Sequence, residues 1–105
     1  MAERIEDQQD QDKGVYAISV VAALVGTGQQ NIRLYERKGL LKPGRTSGGT
    51  RQYSESDLVI LRRIAELLEE GLNLAGVAKV LELEAENRGL YRELKRARRH
   101  RSTNA

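Results

Sequence analysis

The chain has 105 residues, enough for one small domain, and its 39% hydrophobic content without Phe or Trp indicates a modest core. The absence of cysteine excludes a disulfide framework and thiolate metal sites. No apolar run approaches the roughly 20 residues of a membrane span, and the N-terminus does not resemble a secretory signal. The sequence therefore predicts a cytoplasmic protein without a membrane partner.

The net charge of +3 is distributed in four blocks of alternating sign. Residues 1–13 carry −3, residues 14–53 carry +5, residues 54–86 carry −5 and residues 87–105 carry +6. The basic block before residue 54 contains a single carboxylate, Glu36. Such a surface favours a phosphate-bearing partner.

The first 25 residues predict a tail followed by a short helix. Residues 1–13 have one large apolar residue besides the initiator, which is typical of a disordered acidic tail. Ser19 is a favoured N-cap residue and precedes the apolar run at residues 20–25. We therefore expect Ser19 to cap the first helix.

A second helix is predicted from about Gln29 to Lys38, after a tight turn with glycines at positions 26 and 28. Gly39 stands where a helix commonly ends on a left-handed residue. Two helices joined by a tight turn have the layout of a helix-turn-helix.

A β-hairpin is predicted next, because residues 40–43 and 50–53 flank a glycine-rich stretch. Ser54 and Asp57 then form a capping-box pattern that starts a third helix. The apolar stripe expected along that helix is Leu58, Leu61, Ile64, Ala65 and Leu68.

The last part of the chain predicts further helix. Asn73 is expected to cap it, and apolar residues recur beyond it at spacings of four and three, which is typical of a coiled-coil seam with one polar interruption. The predicted dimerisation residues are Leu83, Asn87, Leu90 and Leu94. We divide the chain into a tail at 1–13, a DNA-binding domain at 14–82, a short dimerisation helix at 83–98 and a basic tail at 99–105.

Several ordered blocks resemble the MerR family of bacterial transcription regulators. They are RLYERKGLLKP at residues 33–43, GTRQY at residues 49–53, and Asp57-Leu58. Residues 16–19, 45–49 and 70–77 are most similar to its heat-shock repressor branch, the HspR type. The resemblance extends over about residues 14–84. It implies a mainly α fold, a winged helix-turn-helix with a small β-hairpin wing and a short C-terminal dimerisation helix.

The resemblance also implies roles for individual residues. Arg33 and Tyr35 on the second helix, with Arg51 and Tyr53 on the wing, would contact the DNA backbone. For Tyr35 a place in the core is an equal alternative. The complete set of predicted DNA-binding residues is Ser19, Gln29, Gln30, Asn31, Arg33, Tyr35, Lys38, Arg45, Thr46, Arg51, Gln52 and Tyr53.

Amides at the start of the recognition helix can read adenine through paired hydrogen bonds, although ordinary surface amides are the alternative for Gln29, Gln30 and Asn31. Gly28 stands where the family often has a capping Ser, and Thr27 is expected to replace that cap. The extended effector domain of drug- and metal-sensing members is not expected.

The predicted function is an HspR-like repressor that binds an inverted repeat in double-stranded DNA as a homodimer, with a chaperone as co-repressor and the nucleoid as its location. The alternatives are a MerR-type activator that distorts promoter DNA, and an adaptor whose acidic residues 54–86 bind another protein. No enzyme, cofactor or metal site is predicted, because no Ser-His or Cys-His pair is available. His100 and the basic residues 88–101 predict a solvated face or non-specific nucleic-acid affinity.

Overall fold

The computed structural model of the chain describes residues 13–104. The elements are α1 (Ile18–Val25), α2 (Gln29–Arg37), β1 (Gly44–Arg45), β2 (Arg51–Gln52), α3 (Glu55–Glu69) and α4 (Leu74–Asn104). The expected mainly helical architecture with one small hairpin is confirmed. The chain divides into two compact units, one ending at Glu70 and the other beginning at Gly71. The predicted acidic tail lies almost entirely outside the described residues.

Helix α1 begins two residues earlier than predicted. Ala17 occupies the N-cap position without a side-chain capping bond. The backbone N–H groups of Val20 and Val21 both donate to the carbonyl oxygen of Ala17 at 3.1 Å, so Ser19 already lies inside the first turn. The prediction that Ser19 caps this helix is therefore wrong. The cause is the pairing of Tyr16 with the wing, which holds the preceding residues extended and fixes where the helix can start.

Helix α2 starts at Gln29 and ends just before Gly39, as predicted, but its N-terminal cap differs from the prediction. Gly39 has a φ of 77° and follows the helix, in the left-handed conformation that glycine adopts without a Cβ penalty. At the other end Gly28 is the N-cap and makes no side-chain bond. Thr27 Oγ1 instead accepts a hydrogen bond from Asn31 Nδ2 at 3.1 Å. The expectation that Thr27 caps the helix is wrong.

The wing is an antiparallel hairpin in which Arg45 lies opposite Arg51. Its first strand follows the segment at residues 40–43 that the sequence indicated. Leu41 in that segment is buried in the core, 3% exposed, and Pro43 has no N–H for a strand ladder. The hairpin is confirmed, and the predicted position of its first strand is wrong.

The segment before α1 adds a third stretch of extended chain to the wing. Tyr16 and Tyr53 form an antiparallel bridge, with Tyr16 N–H donating to Tyr53 O at 2.9 Å and Tyr53 N–H donating to Tyr16 O at 2.8 Å. The approach requires a glycine beside it, because a Cβ at Gly14 would lie 2.8 Å from Gln52 O. The end of the wing is thus tied to the start of the domain.

Helix α3 starts with the predicted capping box. Ser54 Oγ accepts from Asp57 N–H at 3.1 Å, and Asp57 Oδ2 accepts from Ser54 N–H at 2.9 Å. The apolar stripe of α3 runs through Leu67, whereas the predicted Ala65 is exposed and Leu68 half-buried. The buried apolar residues of this first unit are Val21, Ala22, Ile32, Tyr35, Leu41, Tyr53, Leu58, Leu61, Ile64 and Leu67.

The second unit consists mainly of helix α4. Asn73 Oδ1 accepts from Gly76 N–H at 2.9 Å, which confirms the predicted cap. The helix then continues for 31 residues, roughly 46 Å, and includes the segment at 83–98 that was expected to be a separate short helix. The physical reason is that no proline follows residue 73, and a single glycine such as Gly89 weakens a helix without ending it.

Candidate nucleic-acid interface

Helix α2 is fixed by one apolar side. Ile32 and Tyr35 are 0% and 7% exposed, three residues apart on the inward face. Their burial turns the polar side of the helix outward, where the exposed residues are Gln30, Asn31, Arg33, Arg37 and Lys38. Amides near the helix start followed by cations form a surface suited to base edges and phosphates.

The two wing arginines are held by one carboxylate of α2. Arg51 Nε donates to Glu36 Oε2 at 2.5 Å, and Arg45 Nη2 donates to Glu36 Oε1 at 3.1 Å. Arg45 and Arg51 are direct cross-strand partners, and like charges in that position repel each other. Glu36 offsets the repulsion by giving one oxygen to each guanidinium. The wing and α2 therefore form one connected surface.

Glu36 is a site residue that sequence reasoning did not select. Its side chain is only 17% exposed, so both ion pairs are partly shielded from solvent. The sequence does offer one signal for Glu36. It is the only acid in a block with six bases, so several cations are available to form an ion pair with it. Neither helical nor strand periodicity relates a helix residue to a hairpin that follows it.

A turn at the tip of the wing supports Arg45. Thr46 N–H donates to Thr50 O at 2.8 Å, and Thr46 Oγ1 accepts from Thr50 N–H at 3.1 Å. Arg45 Nη1 also donates to Gly49 O at 3.1 Å. Thr46 is half-buried in this turn, so its polar atoms help to shape the loop beside Arg45.

Two of the predicted contact residues lie inside the domain. Tyr53 is fully buried and Tyr35 nearly so. The Tyr53 hydroxyl is a buried side-chain atom with no hydrogen-bond partner within the described part of the chain. Burial raises the pKa of Tyr53 above its ordinary value of 10.0, and the Glu36 carboxylate adds to that rise. A buried side chain offers no surface to a phosphate, so Tyr53 lies in the core and not on the contact surface, and Tyr35 fits the core alternative.

Three other predicted residues are either outside the cluster around Glu36 or half-buried. Ser19 is exposed on α1, outside the cluster around Glu36. Gln29 and Gln52 are half-buried, and Gln52 packs against the glycine at position 14. The structure therefore concentrates the accessible members of the predicted set on the outward face of α2 and on Arg45 and Arg51.

A second contact that sequence reasoning missed joins Tyr16 to Glu55. The Tyr16 hydroxyl donates to Glu55 Oε1, and this hydrogen bond raises the pKa of Tyr16 above its ordinary value of 10.0. Together with the Tyr16–Tyr53 bridge, it fastens the segment before α1 to the start of α3.

The predicted dimerisation residues lie on α4. Leu83, Leu90 and Leu94 are 51%, 62% and 46% exposed, and Asn87 is exposed as well. Spacings of seven and four residues place the three leucines on one side of the helix. In this single chain that apolar face is open to solvent.

Two further features concern the described residues only. They contain no group of three His, Cys, Asp or Glu side chains arranged to hold a metal ion. None of the helices in this part of the chain is both long and apolar enough to cross a bilayer.

Comparison with protein families gives one match over most of the chain, to the family described as MerR HTH family regulatory protein, at residues 16–84. The putative heat shock protein HspR of Streptomyces coelicolor is 47% identical over 75 residues, covering 70% of this chain and 50% of that protein. The HTH-type transcriptional regulator TnrA of Bacillus subtilis is 40% identical over 74 residues, covering 70% and 67%. The match thus spans about half the length of the Streptomyces relative.

Solved structures share the fold. The N-terminus of MtaN, the Bacillus subtilis multidrug transporter activator, has a TM-score of 0.61 at 25% identity, covering 85% of this chain and 93% of that one. HiNmlR, a MerR family regulator lacking the sensor domain and bound to promoter DNA, has a TM-score of 0.62 at 24% identity. That match covers 77% of this chain and 67% of the other.

Proposed function

The chain belongs to the MerR family of helix-turn-helix regulatory proteins, and we propose that it is an HspR-type repressor that binds an inverted-repeat operator as a homodimer. The observation that carries this proposal is the double ion pair of Glu36 with Arg45 and Arg51. It joins the wing to α2, so the exposed cations of both elements would meet a nucleic acid as one surface. A DNA-binding transcriptional regulator needs such a surface.

The exposed residues of this surface divide into two roles. Gln30 and Asn31 lie in the first turn of α2, where a recognition helix meets base edges, and amides pair well with adenine. Arg33, Arg45 and Arg51 would contact phosphates, which position the protein without reading sequence. The proposal therefore assigns specificity to the start of α2 and affinity to the arginines.

The homodimer is supported by the exposed leucine face of α4. Leu83, Leu90 and Leu94 would each contribute roughly 1.5–3 kcal/mol if buried against a second copy. Asn87 at the centre of the seam weakens it and favours one register. An inverted repeat follows from the two-fold symmetry of such a dimer, with half-sites separated by a whole number of helical turns.

Repression with a chaperone as co-repressor is the regulatory part of the proposal. It is supported by the residues similar to the heat-shock branch and by the relative described as a heat shock protein. A MerR-type activator that distorts promoter DNA is the alternative. We place the regulator in the cytoplasm, at the nucleoid, where its DNA ligand is found.

Footprinting of the full chain over genomic fragments tests the function. We expect protection of a two-fold symmetric site, with transcription from the adjacent promoter reduced when protein is added. Increased transcription from the same site would establish the activator alternative. If no fragment is preferred over random duplex at any salt concentration, the proposed operator-binding function is wrong and the adaptor alternative gains support.

A further inference from the structure

The second half of helix α4 carries a row of cations along one side. Arg88, Arg92, Lys95 and Arg99 recur at spacings of four, three and four residues, which place them on a single face of the helix. All four side chains are exposed. We call this row the cationic stripe. It extends over roughly 16 Å of helix axis.

The cationic stripe lies on the opposite side of α4 from the leucine seam. Arg92 is two residues from both Leu90 and Leu94, and two residues correspond to about half a turn of α-helix. A second copy packed on the leucines would therefore leave the stripe uncovered. In such a pair the cations of the two stripes would also lie far apart, so they would repel each other little.

Neighbouring cations of the stripe repel each other. Like charges at i and i+4, as at Arg88 and Arg92 or Lys95 and Arg99, each weaken a helix by roughly 0.2–0.5 kcal/mol. The helix dipole favours cations only in the last turn, and Arg88 lies 16 residues before the end of α4 at Asn104. An anionic ligand lying against the stripe would relieve this repulsion.

We propose that the cationic stripe is a second nucleic-acid surface, which holds the phosphates of duplex DNA without regard to sequence. A row of cations can lie against a run of phosphates, and roughly 16 Å of duplex carries roughly ten negative charges. This inference rests on the proposed function in taking DNA as the ligand, but it needs no operator. It would add sequence-independent DNA binding to the contacts proposed for α2 and the wing.

An anionic membrane is the competing partner, because a cationic face opposite an apolar face is also the pattern of helices that lie on membranes. Glu86 and Glu93 argue against it. Each is exposed and lies three or four residues from Leu90, so both flank the apolar face that a membrane would have to bury. Pressing these carboxylates against anionic lipid is unfavourable.

The test is the salt dependence of binding to a random-sequence duplex, measured by fluorescence anisotropy on the full chain. The test variant combines Arg92→Gln with Lys95→Gln, since glutamine has a similar helix propensity. The control variant combines Arg63→Gln with Lys79→Gln. It changes net charge equally, but removes cations that are ion-paired at i+3, to Glu66 at 2.8 Å and to Glu82 at 3.8 Å.

Each lost phosphate contact should lower the salt slope by roughly 0.9 units. We therefore expect the parent and the control to lose roughly tenfold more affinity than the stripe variant between 50 and 200 mM salt. Equal slopes for the two double variants would overturn the proposal. So would a stripe variant that keeps full duplex binding but no longer sediments with vesicles of anionic phospholipid.

Different results would contradict the operator-binding function and the second nucleic-acid surface. A footprint on genomic DNA with an unchanged slope for the stripe variant removes only the second surface. A reduced slope for that variant without any preferred genomic site removes only the operator-binding function. Circular dichroism of both double variants confirms that α4 keeps its helix content in either case.

Discussion

Glu36 in α2 accepts a hydrogen bond from Arg51 of the wing at 2.5 Å, and its other oxygen accepts from Arg45 at 3.1 Å. One carboxylate therefore sets the position of two cations that the sequence separates from it by nine and 15 residues. Arg51 has about a third of its side chain exposed and Arg45 about half, so both remain accessible to a phosphate. The ion pairs orient the arginines without enclosing them.

Glu36→Gln separates orientation from simple charge. Removing an acid raises net charge by one, which alone would tighten binding to any DNA. If Glu36 orients the wing arginines onto phosphates, affinity for the preferred site and for random duplex should instead both fall, because phosphate contacts carry no sequence information. The free energy of unfolding should fall by about 1 kcal/mol, the upper range for partly exposed ion pairs. Anisotropy on both duplexes and urea denaturation measure these effects.

Glu66→Gln is the matched control for that experiment. Glu66 pairs with Arg63 within α3, at 2.8 Å, and its loss changes net charge by the same amount. We expect affinity for both duplexes to stay equal or rise slightly, as the added positive charge alone predicts. If the two variants behave alike, bulk charge is sufficient and the orienting role of Glu36 is wrong.

Arg33→Ala and Arg51→Ala should weaken binding to every sequence by a similar factor for each variant. Arg33 is exposed on α2, and its loss should lower the salt slope by roughly 0.9 units. The loss of Arg51 should lower it less, because Glu36 already neutralises part of that charge. Arg63→Ala on α3 is the control. An altered base preference with an unchanged slope would contradict the phosphate role.

Gln30→Ala should instead relax base preference at one or two positions of each half-site. The side chain is exposed in the first turn of α2, and a lost amide–base pair costs roughly 1–3 kcal/mol of discrimination. Selection from randomised duplexes, followed by sequencing, measures the change. Asn31→Ala is the variant to compare with Gln30→Ala. The Asn31 side chain already donates a hydrogen bond to Thr27 within the protein. Equal losses on operator and random duplex would rule out base reading by Gln30.

Local signals in the sequence were sufficient for much of the fold. Ser54 and Asp57 are three residues apart and cap α3 as their spacing indicated, and Gly39 follows α2 with a positive φ. These features depend on hydrogen bonds and dihedral angles between near neighbours. The order of helices and hairpin follows from such signals, together with the resemblance to a known family.

Contacts between distant segments could not be predicted in the same way. The bridge between Tyr16 and Tyr53 determines where α1 begins, and nothing in the run of residues around Ser19 reveals it. The burial of Leu41 similarly moves the first strand of the wing towards the tip. For the candidate site, the sequence identified the cations but not Glu36, the acid that positions two of them.

Tyr53→Phe tests whether the Tyr53 hydroxyl has any favourable role. A buried hydroxyl without a partner carries a desolvation cost, so its removal should leave stability at pH 7 unchanged or raise it by up to about 1 kcal/mol. DNA affinity should be unchanged, because the side chain is inaccessible. A clear loss of affinity would instead show that the wing opens on DNA and presents this tyrosine.

The same variant should alter the alkaline limit of stability. Burial raises the pKa of Tyr53 in the folded state above 10.0, so folding favours the neutral phenol. The contribution of this preference to the free energy of unfolding is complete below pH 10 and is lost as the pH rises through the raised pKa. Raising the pH from about 9 to about 11 should therefore lower the melting temperature of the parent more than that of Tyr53→Phe. Tyr91→Phe, at an exposed position, is the control and should follow the parent.

The leucine face of α4 should control self-association of the chain. Leu90→Ala and Leu94→Ala should each weaken self-association by roughly 1.5–3 kcal/mol, since both leucines would be buried only in the dimer. The melting of the first unit should be unaffected, because neither residue contributes to its core. Association entropy offsets much of a three-leucine seam, so we expect a concentration-dependent dimer that a palindromic duplex tightens.

Sedimentation of the parent and both variants, with and without duplex, measures that equilibrium. Leu24→Ala is the control, because Leu24 is a similarly exposed leucine on α1 and is not part of α4. It should leave the dissociation constant unchanged. A parent that stays monomeric on its preferred duplex, or seam variants that associate as strongly as Leu24→Ala, would show that the leucine face of α4 does not hold the two copies together.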